Sequence, residues 1–347
     1  MGVDVECFGG DLMSVGDPTG RGPWALGAML GCETMHERVV DPYLHGVRID
    51  SFLVRAFRNY TSFRMARMVR AGLVTIDGET AVDWQRVRGG QRVQVRLAEP
   101  PDKLLEPEAI PLDIVAEDEW LLVVNKPAGM VAHPVSDIYR GTLANAVQHH
   151  LDCQTSRKGL LRPGIVHRLD RQTSGLLVIA KDHLTHRRLS IEFQHRRVEK
   201  SYLALVEGNV ESDDGEIALP IGRRPEHGTI LASAATDAVN ARPARTLFRV
   251  EQRLGEFTLL SVIPQTGRIH QIRVHLAAIG HPVVGDEFYD RDGRIKEQPV
   301  KFSELISRHA LHAERLAFVH PHTAERCEYS GPLPADFRNA LTELTAD

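Results

Sequence analysis

The sequence predicts an α+β protein, with a mixed, mostly antiparallel central sheet flanked by helices and a small αα-β module ahead of it. Strand-length apolar runs alternate with helix-length amphipathic stretches, without the regular period that a barrel needs. Three strand-like runs, "KSYLALVEG", "TLFRVEQRL" and "FTLLSVIP", follow one another with no helix between them. A Pro- and charge-rich stretch, "EPPDKLLEPEAIP" at 99–111, reads as the linker between the module and the rest.

A chain of 347 residues, 42% apolar and 25% charged, has the size for two domains and the balance of a soluble globular protein. No uncharged apolar run reaches about 18 residues, so no membrane partner is expected. No basic segment followed by an apolar core opens the chain, and a cytoplasmic location is expected. Cys7, Cys32, Cys153 and Cys327 stand apart, which fits reduced thiols rather than a disulfide framework or a zinc site.

The formal net charge of −4 argues, by itself, against a nucleic-acid partner. Its distribution argues the other way. Residues 1–45 hold seven acids and two bases, whereas 48–99 hold ten arginines against five acids. Residues 162–200 hold nine Lys and Arg against four acids. Positive charge is thus concentrated in two segments, as attraction to phosphate requires.

Taken in order, residues 1–45 form an acidic leader without clear periodicity; disorder is expected there, and Met35 is an alternative start. The module spans 46–98. In it "TSFRMARMVRAG" reads as a helix with Ser62 as N-cap and Gly72 at its C-terminal stop. Arg64, Arg67 and Arg70 recur at every third residue, as a basic stripe or a solvated face. "LVTIDGETAV" is a hairpin about Asp77-Gly78, and "QRVQVRL" is a further strand. Beyond the linker, 112–342 form the larger domain. "WLLVVNKPAG" is a strand running into a turn and "GTLANAVQHHL" a helix. "GIVHRL" and "GLLVIAK" are strands on either side of an Asp170 loop. "DHLTHRRLSIEFQHRRV" is a helix capped by Asp182, and "QTGRIHQIRVHLAAIG" turns into a helix that ends at Gly280.

Three places could carry chemistry. Asp170 lies between arginines 168 and 171 in a loop held by apolar strands, where nearby guanidinium groups would keep it ionised. It then suits a nucleophile or charge stabiliser, although an isolated H-R-L-D also serves as a turn cap or a local ion pair. Arg268, His270, Arg273 and His275 crowd a strand-to-helix corner and need an anionic partner, unless they form a surface ion-pair net. Tyr202 shares a strand face with Ala204 and Val206, the usual setting of a packing residue. "GNVESDDG" lacks calcium-loop spacing, and His309, His312, His320 and His322 match no zinc signature, so no metal is expected. Glycine-rich phosphate loops are missing, and no nucleotide cofactor is expected.

In this order, "HRLDRQTSGLLVIAK", "KSYLALVEG" and "TGRIHQIRVHL" resemble the motifs of the RluA-type RNA pseudouridine synthases. "LLVVNKPAGMVAHP" before them, and "GHPVVGDEFY" and "HALHAERLAFVHPHT" after them, extend the likeness from about 112 to 340. The 46–98 module, with "RIDSFLVRAF", "RMVRAGLVTIDG" and "GGQRVQV", resembles the S-four-type RNA-binding module, a pairing typical of the RluD/RluC-like subgroup that acts on large-subunit ribosomal RNA. The resemblance implies an isomerase that needs no cofactor. It makes Asp170 the catalytic aspartate, Arg273 the basic residue paired with it, and Tyr202 the active-site tyrosine. Arg168 would hold the target nucleotide outside the stack; Arg268, His270, Arg64, Arg67 and Arg70 are further candidate RNA contacts. The implied partner is ribosomal RNA or a ribosome assembly intermediate, met by a monomer. The chain departs from the family at "ARPART", 241–246, where a Gly-Lys-x-Ala-x-Thr stretch is common. Other readings are a catalytically silent RNA-binding protein, a synthase acting on transfer RNA, and a glycoside-type hydrolase, for which no second carboxylate is supplied.

Overall fold

The computed structural model describes residues 34–57, 60, 62–70, 72–82, 84–97, 105–135, 138–154, 163–223, 231–234, 238–291 and 305–346, without the side chains of Phe63, Arg64, Arg67 and His183. The chain divides into two compact units, one ending at Leu105 and one beginning at Glu106, with 155–161 counted in the first.

The first unit joins a four-stranded sheet to two helices. Strands β1 (Thr34–Val39), β2 (Val74–Ile76), β3 (Glu79–Thr80) and β4 (Arg92–Leu97) lie in the order β1-β4-β2-β3. Helices α1 (Ile49–Ala56) and α2 (Ser62–Arg70) bury Ile49, Phe52, Leu53, Met65 and Met68 with Val74, Ile76, Val93 and Val95 of the sheet. Asp77 and Gly78 both take positive φ, 52° and 89°, as the tight β2–β3 turn demands. Past α2, Gly72 at φ 70° lets the N–H groups of Gly72 and Leu73 reach back to the Val69 and Met68 carbonyls, closing the helix end. Ser62 is the first helical residue rather than the cap. The acidic leader needs a correction. Residues 34–39 pair along their whole length with β4, so the structured unit starts well before 46, and the acidic text hid a strand whose partner lies almost sixty residues on. Residues 1–33 lie outside the described residues.

The second unit is built on a ten-stranded sheet. Its strands are β5 (Ile114–Glu117), β6 (Leu121–Lys126), β7 (Gly164–Ile165), β8 (Ser174–Ala180), β9 (Glu199–Glu207) and β10 (Asp214–Ile217). A three-stranded sheet of β11 (Ile221–Arg223), β12 (Ala232–Ser233) and β13 (Val239–Arg242) follows. Strands β14 (Thr246–Leu254), β15 (Phe257–Pro264), β16 (Leu311–Val319) and β17 (Arg326–Ser330) complete the large sheet. Its order is β10-β14-β15-β9-β16-β8-β6-β5, with β17 beside β16 and β7 beside β8. Every pairing is antiparallel except β8 with β16, where His312 lies opposite Ser174 and Ala313 opposite Gly175. This is the mixed, mostly antiparallel sheet that the sequence predicts.

Four helices attend it: α3 (Leu143–Cys153), α4 (His183–Gln194), α5 (Gln271–Ala278) and α6 (Ala335–Ala346). Asp182 caps α4 as predicted, accepting from the Thr185 N–H at 3.0 Å, and Leu189 of that helix packs on Leu176, Val178 and Leu316. Residues 106–111, expected as linker, belong to this unit: the Glu106 carboxylate takes Arg140, and Glu108 accepts from the Gly141 N–H. Among the described residues no helix is long and apolar enough to cross a membrane.

Gly175 fixes the close approach of β8 and β16. At φ +118°, a Cβ there would meet the Ala313 backbone oxygen at 2.3 Å and nitrogen at 2.5 Å. Gly175→Ala is expected to cost about 2–5 kcal/mol of unfolding free energy from backbone strain and overpacking, read as a lower urea midpoint than wild type.

Candidate active site

Asp170 lies on the connection from β7 to β8. The sequence suggests a strand through "GIVHRL", but pairing stops at Ile165, and beyond it the Val178 N–H of β8 donates to His167 Nε2 instead of a strand carbonyl. What replaces strand pairing is a set of buried side chains that hold the loop's backbone. The Lys126 ammonium donates to the carbonyls of Pro127, Met130 and Arg171 at 2.7, 3.0 and 3.3 Å. Burial, and secondarily the charge of Arg308, lower Lys126 to about 7. Three acceptors nevertheless call for three N–H donors, and only the ammonium has them. Arg308, gripped by Asp336 of α6, donates to the Gln172 carbonyl at 3.1 Å, and the Thr173 hydroxyl meets His309 Nε2 at 2.7 Å. Three consecutive residues, 171–173, are thereby fixed from distant parts of the chain.

The partner of Asp170 comes from α5. Arg273, 2% exposed, sends Nε and Nη2 to Asp286 at 2.6 and 2.8 Å, and Nη1 to Asp170 Oδ2 at 3.2 Å. Asp286 is itself aimed by the N–H groups of Phe288 and Tyr289 at 2.9 and 3.2 Å, and both rings flank the guanidinium at 5.4 and 5.3 Å. His270 opens α5 in the left-handed region, φ 52°, and turns Nδ1 to the Tyr289 hydroxyl at 2.8 Å. That hydroxyl also accepts from the Ala232 N–H, and His270 Nε2 faces Asp170 at 3.9 Å.

Burial works against charge on Asp170, yet His270, Arg273 and His309 together hold its carboxyl below the usual carboxylate range. The three do not share this equally. Burial pushes His270 down to about 4 and His309 to about 3, so both are neutral near pH 7 and Arg273 supplies the charge. For Asp286, burial is again outweighed by Arg273, and its carboxyl falls to about 2. Tyr202, buried in β9, has its phenol pushed up by burial and by the charge on Asp170, so it stays protonated.

Asp170 sits where two spaces meet. A cleft of about 1000 Å³ runs past it, and a smaller cavity of about 100 Å³ is lined by Tyr202, His270, Arg273 and Leu311. At about 30 Å³ for each water in the liquid, the cavity offers the room of one small ring. The loop 264–271 that closes its far side is locked by Gln271. Its oxygen accepts from the Thr266 hydroxyl and the Arg268 N–H at 2.7 and 3.1 Å, and its amide donates to the Arg245 carbonyl at 3.0 Å.

The expected residues fare unequally. Asp170, Arg273, Tyr202 and His270 converge. Arg168 is exposed at the mouth, and Arg268 stands there too, held to the Pro243 carbonyl. Arg171 turns away to the Gly129 carbonyl at 3.0 Å, so sequence adjacency to Asp170 misleads for this residue. His275, grouped with cations needing an anion, instead lies between the Thr246 hydroxyl and the Leu219 carbonyl, and burial disfavours its charge. Arg70 is exposed at the end of α2, in the first unit, and the side chains of Arg64 and Arg67 lie outside the described residues. Sequence reasoning missed Asp286, Lys126 and Arg308. Asp286 alone had a signal: a cation as buried as Arg273 needs more than one carboxylate.

A carboxylate kept charged at the edge of a ring-sized cavity, beside a basic cleft, defines a site for chemistry on one unit of a polyanion. Residues 120–278 match the sequence profile for RNA pseudouridylate synthase. A relative from Chlorobaculum parvum named "Uncharacterized RNA pseudouridine synthase" is 38% identical, over 86% of this chain and 94% of its own. "Ribosomal large subunit pseudouridine synthase D" of Nitrosomonas europaea is 39% identical, over 90% of this chain and 88% of its own. The solved structure of human RNA Pseudouridylate Synthase Domain Containing 4 is 25% identical with a TM-score of 0.54, covering 67% of this chain and 92% of that one. The chain therefore belongs to the RluA-type RNA pseudouridine synthases, isomerases that act on RNA.

Removing the second carboxylate tests the charge arrangement. Asp286→Asn is expected to destabilise the protein by about 3–5 kcal/mol at pH 7, because it leaves the Arg273 charge underpaired in the interior. Asp286 has a lowered pKa, so its contribution is complete above the ordinary carboxylate range and is lost as pH falls toward about 2. The stability gap to wild type should stay constant from about pH 8 to pH 5 and close below that, as urea unfolding at each pH would show.

Proposed function

We propose that the protein converts uridines of large-subunit ribosomal RNA to pseudouridine, with Asp170 as the carboxylate that acts on the extruded nucleotide. The observation that carries the proposal is the ionised Asp170, held by Arg273 at the junction of a basic cleft and a ring-sized cavity. Relatives whose names specify the large ribosomal subunit support the choice of RNA.

The isomerisation breaks the bond from ribose C1′ to N1, turns the base, and joins C1′ to C5; C5 gives up a proton and N1 gains one. No electrons or phosphoryl groups change hands, so protein side chains suffice. A uridine inside folded RNA must leave its stack first, at a cost of a few kcal/mol. In this reading the Tyr202 ring lies along the base, its phenol protonated, and exposed Arg168 occupies the vacated place. Asp170 needs no activation because Arg273 already keeps it charged. The first unit, with Arg70 and the Arg64 and Arg67 positions on α2, adds backbone affinity for the RNA. The protein acts as a monomer in the cytoplasm, where that RNA is made.

Mapping pseudouridines in cells lacking the gene, by carbodiimide-dependent primer-extension stops, should show lost sites in large-subunit ribosomal RNA. Loss confined to transfer RNA would overturn the ribosomal assignment. Asp170→Asn should bind the same transcript within about threefold of wild type and form no pseudouridine; unchanged product would remove Asp170 from the reaction.

Conversion at saturating RNA should run flat from about pH 8 to about 5.5 and fall only below that, as Asp170 protonates. An inflection near 6.5 would mean that an imidazole, and not this carboxylate, limits the reaction.

A further inference from the structure

Three cations border both the cleft and the cavity: Arg168, Lys200 and Arg268. They surround a single carboxylate, Asp170, which is already engaged by Arg273. Three other arginines along the cleft are neutralised, Arg326 by Glu199, Arg315 by Glu328 and Arg249 by Glu251, while Arg196 borders the cleft but not the cavity. Among the described residues none of the three at the mouth has a carboxylate partner. Arg168 and Arg268 already figure as RNA contacts. Lys200 does not.

Lys200 is the least comfortable of the three. It lies on β9 two residues before Tyr202, so the two side chains leave the strand on the same face. Its side chain is half-buried. The Nζ stands 5.8 Å from the centre of the Phe193 ring, and that ring is stacked on His167, with centroids 4.5 Å apart. Burial pushes His167 down to about 3, so the imidazole is neutral and offers the lysine nothing. Burial alone lowers the pKa of Lys200, with no neighbouring charge working for or against it. A cation half removed from water, resting on one aromatic face, is poorly compensated until an anion arrives.

We propose that Lys200 binds a phosphate of the nucleotide whose base enters the Tyr202 cavity, with Arg268 on the same backbone and Arg168 left to fill the place that the base vacates. This rests on the functional reading above and extends it. The cations border the cleft as well as the cavity, so a phosphate lying in the cleft can meet them while the base goes in. The rings of Phe193 and His167 hold the aliphatic stem of Lys200 against the wall and aim its head at the cleft.

The test uses the full chain and an in-vitro transcript of large-subunit ribosomal RNA. Dissociation constants are measured by filter binding over a range of salt, for wild type, Lys200→Met and Lys200→Arg. Lys200→Met should weaken binding by about five- to tenfold at 0.1 M salt and lower the slope of log Kd against log salt by about 0.7–0.9, one phosphate's worth. Lys200→Arg should recover both, and the single-turnover rate at saturating RNA should stay within about threefold of wild type. An unchanged slope overturns the proposal, as does a slope that holds while the saturating rate collapses, which would place Lys200 on the reacting atoms. If Lys200→Met does not fold, reductive methylation of wild type, read by mass spectrometry, decides. Bound transcript should shield Lys200 at low salt and release it at high salt; an unshielded Lys200 overturns the proposal. If wild type binds this transcript without converting it, the ribosomal assignment fails while the salt slope still reports on Lys200.

Discussion

One guanidinium shared between two carboxylates organises the reactive centre. Arg273 is fully buried and needs more negative charge than Asp170 alone provides, and Asp286 supplies it with a two-pronged grip. Because Asp286 is fixed by two backbone N–H groups, it determines where Arg273 lies, and Arg273 in turn determines where Asp170 can be ionised. Positions are set from the interior outward. The half-buried carboxylate at the mouth inherits its charge and direction from Arg273, which lines the cavity, and through it from Asp286 behind.

The sheet makes this arrangement possible by joining distant stretches of chain at its middle. Strand β8 follows the Asp170 loop, β9 carries Lys200 and Tyr202, and β16 lies between them, parallel to one and antiparallel to the other. The parallel contact is short and depends on a glycine. It also brings Arg308 and His309, just before β16, against the loop carbonyl of Gln172 and the hydroxyl of Thr173. The polar interior near the site is well satisfied for this reason: each cation there has carbonyls or carboxylates to meet, and the cations left over are those facing the cleft.

Much of this was legible in the sequence, and the failures share a cause. Asp170, Tyr202 and Arg273 stood out because short motifs carry them, and the strands and helices of 112–342 were readable from apolar spacing. Alternation put Tyr202 on one face with Ala204 and Val206, and did not show that residues 202–206 are all buried, as they are because β9 is interior to the sheet. Charge pairing was harder still. Arg171 is next to Asp170 and does not serve it, while Asp286 is remote in sequence and serves it through Arg273. Composition also misjudged residues 34–45, since an edge strand needs only a partner's backbone and can carry acidic side chains outward. Periodicity and local motifs report what neighbours in sequence do; they are silent on which distant residue a buried charge will find.

The grip of α6 on the reactive loop has a bearing on synthesis. Asp336 holds Arg308, and Arg308 holds the carbonyl of Gln172, so a stretch of polypeptide made late secures a segment made long before it. A nascent chain with its first three hundred residues exposed would carry Asp170 without Arg308, His309 and Asp336, which hold the loop at residues 172 and 173. The loop is therefore secured only once residue 336 has been made, and a product terminated before it would be a protein with the right residues and an unset site.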